Sequence, residues 1–222
     1  MARPIDVRQK LRDDVVAGTW PFGARLTIDE LASRYGVSHM PIREALRELS
    51  GEGLVVTEPN RGARVRPVDR TFVENLFEIR SAIEVMLTKR AAQRRTLRHL
   101  RRLAELEDEL EARIARADFA GVLEANRAFH QVINEAADNA DAVTLVDRHW
   151  LLIAALWRRY GYGPERFAGV ANDHRHLLRA IEAGDADAAA VIMGAHVTKA
   201  KQELLGRMAA DPPVAQPQEL IA

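Results

Sequence analysis

The chain has 222 residues, 32 Lys and Arg balanced by 32 Asp and Glu, and no cysteine. Such a length carries two modest domains, and the absence of cysteine excludes disulfides and thiolate metal sites. No apolar run reaches the length of a membrane span and MARPIDVRQK does not read as a signal peptide; with no net charge, any nucleic-acid contact must come from a local arrangement of side chains.

Residues 4–17 predict an opening helix with Val7, Leu11 and Val15 inward, ended at Gly18, and Trp20 to Gly23 read as a turn. The basic side chains of this helix, Arg8, Lys10 and Arg12, face either solvent or phosphate. Thr27 and Glu30 have the spacing of a capping box, opening a short helix with Ile28, Leu31, Ala32 and Tyr35 on one face. Gly36 and Val37 break it. Ser38 is placed to cap a second helix, whose first turn tolerates Pro41. Two short helices about a glycine-containing turn form a helix-turn-helix pattern.

The second helix divides by face. Ile42, Ala45, Leu46 and Leu49 form an apolar stripe, whereas His39, Arg43 and Arg47 recur every four residues on another side. Those donors suit the DNA major groove, with Arg bidentate to guanine; the alternative is a solvated face paired with Glu44 and Glu48. Leu54 to Thr57 and Ala63 to Arg66 read as two strands joined by a turn, Pro59-Asn60-Arg61-Gly62. A hairpin after a helix-turn-helix is a wing, with Arg61 and Gly62 at its tip. The candidate DNA-contacting set is Ser38, His39, Arg43, Arg47, Arg61 and Gly62.

These residues resemble the GntR family of bacterial transcription regulators: GVSHMPIREALRELSGEGLV is similar to its recognition helix, and NRGARV to its wing. The pattern departs at His39, where many members carry arginine; an imidazole also donates a hydrogen bond.

Beyond Arg66-Pro67 no strand-like alternation remains, and six helices are predicted over 69–92, 96–116, 118–137, 140–160, 164–183 and 185–208. Asp69, Thr96, Asp118 and Asp185 are their expected N-caps, with Gly184 at a C-terminus. The fold class expected is mainly α: a winged helix-turn-helix domain over 1–67 and an all-α helical bundle over 68–210, followed by a disordered tail over 211–222. Asn126 and His130 share one face of the third bundle helix, His174 lies on an apolar stripe of the fifth, and His196 on one of the sixth. Three imidazoles and an amide on inward faces suit a divalent cation: zinc first, with nickel, manganese or iron possible. Hydrogen-bonded core histidines are the alternative from spacing alone. His176 should point away from His174 into solvent, His99 sits in a solvated Arg-rich face, and Asp173 should project away from the ligand face.

The helical half resembles the FCD domain of FadR-like GntR regulators through EIRSAIE (78–84), NRAFHQVI (126–133), DHRHLLRAIEAGDADAA (173–189) and MGAHV (193–197). The resemblance implies a metal site at Asn126, His130, His174 and His196. It further implies an effector carboxylate on Arg80, although Arg80 can equally pair with Glu84 one turn on. Together the two halves imply a cytoplasmic bacterial regulator. It would be a homodimer and a repressor, binding a pseudo-palindromic double-stranded DNA operator and responding to a small carboxylate. A hydrolytic or isomerising metalloenzyme and a metal-sensing regulator are the rival readings.

Overall fold

The computed structural model describes residues 6–58, 62–161 and 164–210. Arg61 and the 211–222 tail therefore lie outside the described residues. The chain opens with α1 (Val7–Val16), capped by Asp6, whose carboxylate accepts from Gln9 N at 3.0 Å. Its apolar residues Val7, Leu11 and Val15 are buried as the periodicity requires. The basic side chains of α1 are spent within the fold: Arg8 pairs with Glu48, Arg12 with Glu52, and the Lys10 ammonium lies 5.7 Å from the Tyr35 ring centroid.

Helix α2 (Ile28–Tyr35) begins at Thr27, whose hydroxyl accepts from Glu30 N at 3.3 Å. It ends at Gly36, which adopts φ 65° and ψ 38°, a left-handed conformation costly for residues with a Cβ. That turn swings the chain into α3 (His39–Gly51), which buries Ile42, Ala45, Leu46 and Leu49. Ser38 takes the extended N-cap conformation, but its hydroxyl makes no cap hydrogen bond, contrary to the expectation from residue type.

Strands β2 (Val55–Glu58) and β3 (Gly62–Val65) form the hairpin, antiparallel with Val55 opposite Val65. A third strand, β1 (Arg25–Leu26), pairs with β3 and gives the order β1-β3-β2. Sequence did not reveal β1, because two residues are too short to display an alternation.

Six helices follow: α4 (Arg70–Arg94), α5 (Leu97–Ala115), α6 (Phe119–Ala136), α7 (Ala140–Tyr160), α8 (Pro164–Ala183) and α9 (Ala186–Ala210). The expected caps form, with Asp69 accepting from Phe72 N, Asp118 from Gly121 N and Asp185 from Ala188 N. Thr96 caps α5 reciprocally: its hydroxyl accepts from His99 N while His99 Nδ1 accepts from Thr96 N, both at 3.3 Å. Half-buried His99 thus has a local structural role that an Arg-rich stretch concealed.

Helix α4 packs along α9, α5 along α6, and α8 along α9 and α5, while α1 touches α7. Phe77, Leu87, Leu103, Leu106, Phe129, Ile133, Leu156 and Leu177 are at most 2 % exposed and form the bundle's interior. Burial of each such side chain contributes about 1.5–3 kcal/mol. Among the described residues no helix is long and apolar enough to cross a membrane.

Candidate metal centre and nucleic-acid interface

The face of α3 opposite its apolar stripe is available for a duplex. Arg43 and Arg47 are exposed, and no hydrogen bond or ion pair engages either among the described residues. The competing arrangement, in which Glu44 and Glu48 pair with them, does not occur among the described residues: no ion pair engages Glu44, and Glu48 is held by Arg8 at 3.4 Å. Ser38 is exposed beside them, its hydroxyl unused by the helix. His39 is also exposed, and its Nε2 lies 3.1 Å from Asp29 Oδ1, so a base contact would exchange that partner. Exposed Gly62 has φ 88°, and a Cβ there would stand 3.6 Å from the Leu26 carbonyl oxygen.

Within the bundle, His130 of α6, His174 of α8 and His196 of α9 converge. Their ring centroids lie 5.2 Å (130–196), 5.2 Å (174–196) and 5.4 Å (130–174) apart, nearly an equilateral triangle. One nitrogen from each lies within 4.8 Å of the others, and all three residues are buried. Metal–nitrogen bonds of about 2.0–2.1 Å require nitrogens roughly 3.3 Å apart in a tetrahedral site, so small ring rotations close the set on an ion. His174 Nε2 is buried without a hydrogen-bond partner, an orphaned lone pair or proton that a cation would satisfy. The donor set therefore fits a divalent metal. Asn126 sits one turn before His130 on α6 and is half-buried.

Each imidazole also has a carboxylate against Nδ1. Glu107 Oε2 lies 3.0 Å from His174 Nδ1, and Asp173 Oδ2 lies 3.3 Å from His196 Nδ1. Glu84 Oε2 is 3.3 Å from His130 Nδ1, near enough for charge attraction but without well-aligned hydrogen-bond geometry. With Nδ1 engaged, Nε2 of His174 and of His196 is left to face the centre. His174 stacks on Phe129 at 4.1 Å and 7°, and His130 meets the edge of Trp150, so packing fixes the rings as well.

The electrostatics keep the imidazoles ready to bind metal. Burial, reinforced by the other two rings, holds His174 well below the ordinary histidine value. Burial also lowers His196, to about 4, against the opposing pull of Asp173. Burial opposes ionisation of Glu84, yet Arg80 and His130 outweigh it and hold the carboxyl at about 2. Burial pushes Glu107 up to about 8.

The structure alters one sequence expectation here and shows the Glu84 partner that was one of the two readings of Arg80. Asp173 does not leave the site: it is buried and accepts from Lys199 Nζ at 2.5 Å while holding His196. Helix α8 is flanked by α5 and α9, so the face that diverges from His174 is itself covered. Arg80 forms the in-helix pair, with Nε and one terminal nitrogen each 2.6 Å from Glu84 Oε1. Its guanidinium lies between Phe77 and Trp150, 5.3 and 5.2 Å from the ring centroids. His176 is exposed, as its helical phase predicts.

Sequence reasoning missed Glu84, Glu107 and Asp173 as members of the site. Glu107 did leave a signal: it shares the face that carries buried Leu103, Leu106 and Leu110, where a carboxylate needs a partner.

A winged helix-turn-helix joined to a helical bundle is the architecture of a DNA-binding transcription regulator. The chain belongs to the GntR family of bacterial regulatory proteins: residues 5–65 match that family, and residues 75–199 match the FCD domain. It is 32% identical over 128 residues to the HTH-type transcriptional repressor RspR of Escherichia coli K12, a match spanning 58% of this chain and 56% of RspR. It is 28% identical over 193 residues to a probable D-xylose utilization operon transcriptional repressor of Paenarthrobacter nicotinovorans, covering 86% and 84% of the two chains. The solved structure of Escherichia coli McbR/YncC has the same fold, with a TM-score of 0.76 at 22% identity over 90% of this chain and 96% of that one. These relatives are regulators of transcription, not enzymes.

Proposed function

We propose that the protein is a cytoplasmic, homodimeric repressor whose affinity for a pseudo-palindromic operator is set by a small carboxylate bound at a divalent metal in the bundle. In this reading residues 1–67 form the reading head and residues 68–210 the sensor. The observation that carries it is the buried triangle of His130, His174 and His196 in a chain whose recognition helix leaves Arg43 and Arg47 unpaired.

In this reading Ser38, His39, Arg43 and Arg47 read one half-site, and the wing strand that starts at Gly62 meets the flanking groove. In the sensor, Asn126, His130, His174 and His196 hold the ion, zinc by preference, which supplies a positive centre with open positions. Charge bookkeeping supports an anionic ligand: Glu84 is matched by Arg80 and Asp173 by Lys199, leaving Glu107 as the one unmatched carboxylate around a dication. Arg80 commits Nε and one terminal nitrogen to Glu84, leaving the other for an effector oxygen. Helix α7 links sensor to head, since its Trp150 touches His130 and Arg80 while the same helix packs on α1. Effector binding shifts the population toward a head arrangement that no longer matches the half-sites.

The test measures binding of the purified protein to the promoter beside its own gene, with zinc, with chelator, and across a panel of small organic acids. Tight binding that one acid weakens only when metal is present supports the proposal. Binding that follows metal alone makes the ion the signal, and no binding under any condition removes the repressor reading.

A further inference from the structure

We infer that Glu107 is the positioning residue of the metal centre, fixing His174 so that its Nε2 faces the cation; the inference rests on the metal reading above. Helix α5 supplies no imidazole, yet its Glu107 is 4 % exposed and sets Oε2 3.0 Å from His174 Nδ1.

Among the described residues, Glu107 differs from the other two carboxylates in its lack of a bonded cationic partner. Glu84 and Asp173 each bond a cationic side chain, Arg80 at 2.6 Å and Lys199 at 2.5 Å. No cation is bonded to Glu107 among the described residues, and its Oε1 is buried with no hydrogen-bond partner. Neighbouring Arg175 is engaged instead by Glu111. A buried carboxylate without a counter-ion is costly in a helix that would pack better with leucine at that position. Its one polar partner is the imidazole that carries the orphaned Nε2. A dication on that nitrogen supplies the missing counter-charge through the ring, and the carboxylate in turn fixes the tautomer and raises the ligand's basicity.

The geometry also makes the centre a tie among five helices. Metal on His130, His174 and His196 joins α6, α8 and α9 directly, Glu84 adds α4, and Glu107 adds α5. Loss of Glu107 leaves all three imidazoles in place but lets His174 turn about its ring axis, held only by its stack on Phe129.

The experiment measures zinc affinity of the full chain by competition with a chromophoric chelator, alongside the visible spectrum of the cobalt-loaded protein and the melting temperature after chelation. Wild type, Glu107→Ala, Glu107→Gln and the exposed control Glu105→Ala are compared. Glu107→Ala is expected to weaken zinc binding roughly 10–100-fold and to change the cobalt spectrum, without lowering the chelated protein's melting temperature. Glu107→Gln, which keeps an acceptor of nearly the same shape, should recover part of the affinity, and Glu105→Ala should match wild type. Unchanged affinity in Glu107→Ala, or a loss fully accounted for by a lower melting temperature in the chelated state, overturns the assignment. Wild type that takes up no zinc overturns the metal reading itself, and Glu107 with it.

Discussion

Removing the metal should be visible as lost thermal stability, and the histidine geometry sets how much. The three imidazoles come from α6, α8 and α9 and are buried, so the site exists only in the folded chain. Zinc at about 100 times its dissociation constant then adds about 2.7 kcal/mol to the unfolding free energy. For a chain of this size each kcal/mol moves the midpoint by about 2–4 °C, so zinc should raise it by about 5–10 °C over the chelated protein. Differential scanning calorimetry with zinc and with chelator measures the difference directly. His174→Ala should abolish the zinc-dependent rise, because it removes the ligand with the orphaned Nε2. His176→Ala should preserve it, since that ring is exposed and its Nδ1 lies 2.7 Å from the Asn172 carbonyl oxygen. A zinc-dependent rise that survives His174→Ala, or disappears in His176→Ala, refutes the placement of the site.

Three further outcomes are expected. Arg43→Ala should cost about 1–3 kcal/mol in operator binding and relax base preference at one step, read by fluorescence anisotropy over single-base operator variants. Thr27→Ala should lower stability by about 1 kcal/mol in urea titration because its hydroxyl caps α2; Ser38→Ala should change it by less than about 0.5 kcal/mol because its hydroxyl caps nothing. Arg80→Ala leaves Glu84 buried beside His130 without its cation, and should destabilise the chelated protein by about 3–5 kcal/mol in the same titration.

Much of the fold was legible because the signals are local. Three- and four-residue spacing of apolar side chains placed every helix, and Asp69, Asp118 and Asp185 marked three starts through single side chain to backbone bonds. The histidine trio was legible for a related reason: helical phase alone puts His130, His174 and His196 on inward stripes. The burial of His174 and the exposure of His176 followed from a two-residue offset, whereas a metal role for the trio came from the family resemblance. Signals that depend on a neighbouring element were not legible. Ser38 has the right residue type for a cap, yet its hydroxyl makes no bond to α3. Strand β1 exists only because β3 passes beside Arg25 and Leu26. Glu107 lies in phase with the apolar face of α5, but which imidazole it and Glu84 would meet depends on the neighbouring helices.

The order of elements, the outward face of the reading helix, and the inward turn of the three imidazoles were determined by the sequence itself, since a helix's own periodicity decides which side chains face in. Tertiary structure alone decided what meets those side chains. A carboxylate reaches each Nδ1 from a different helix: Glu84 on α4 for His130, Glu107 on α5 for His174 and Asp173 on α8 for His196. Contacts between helices depend on how the bundle is wound, and no spacing within a single helix records that.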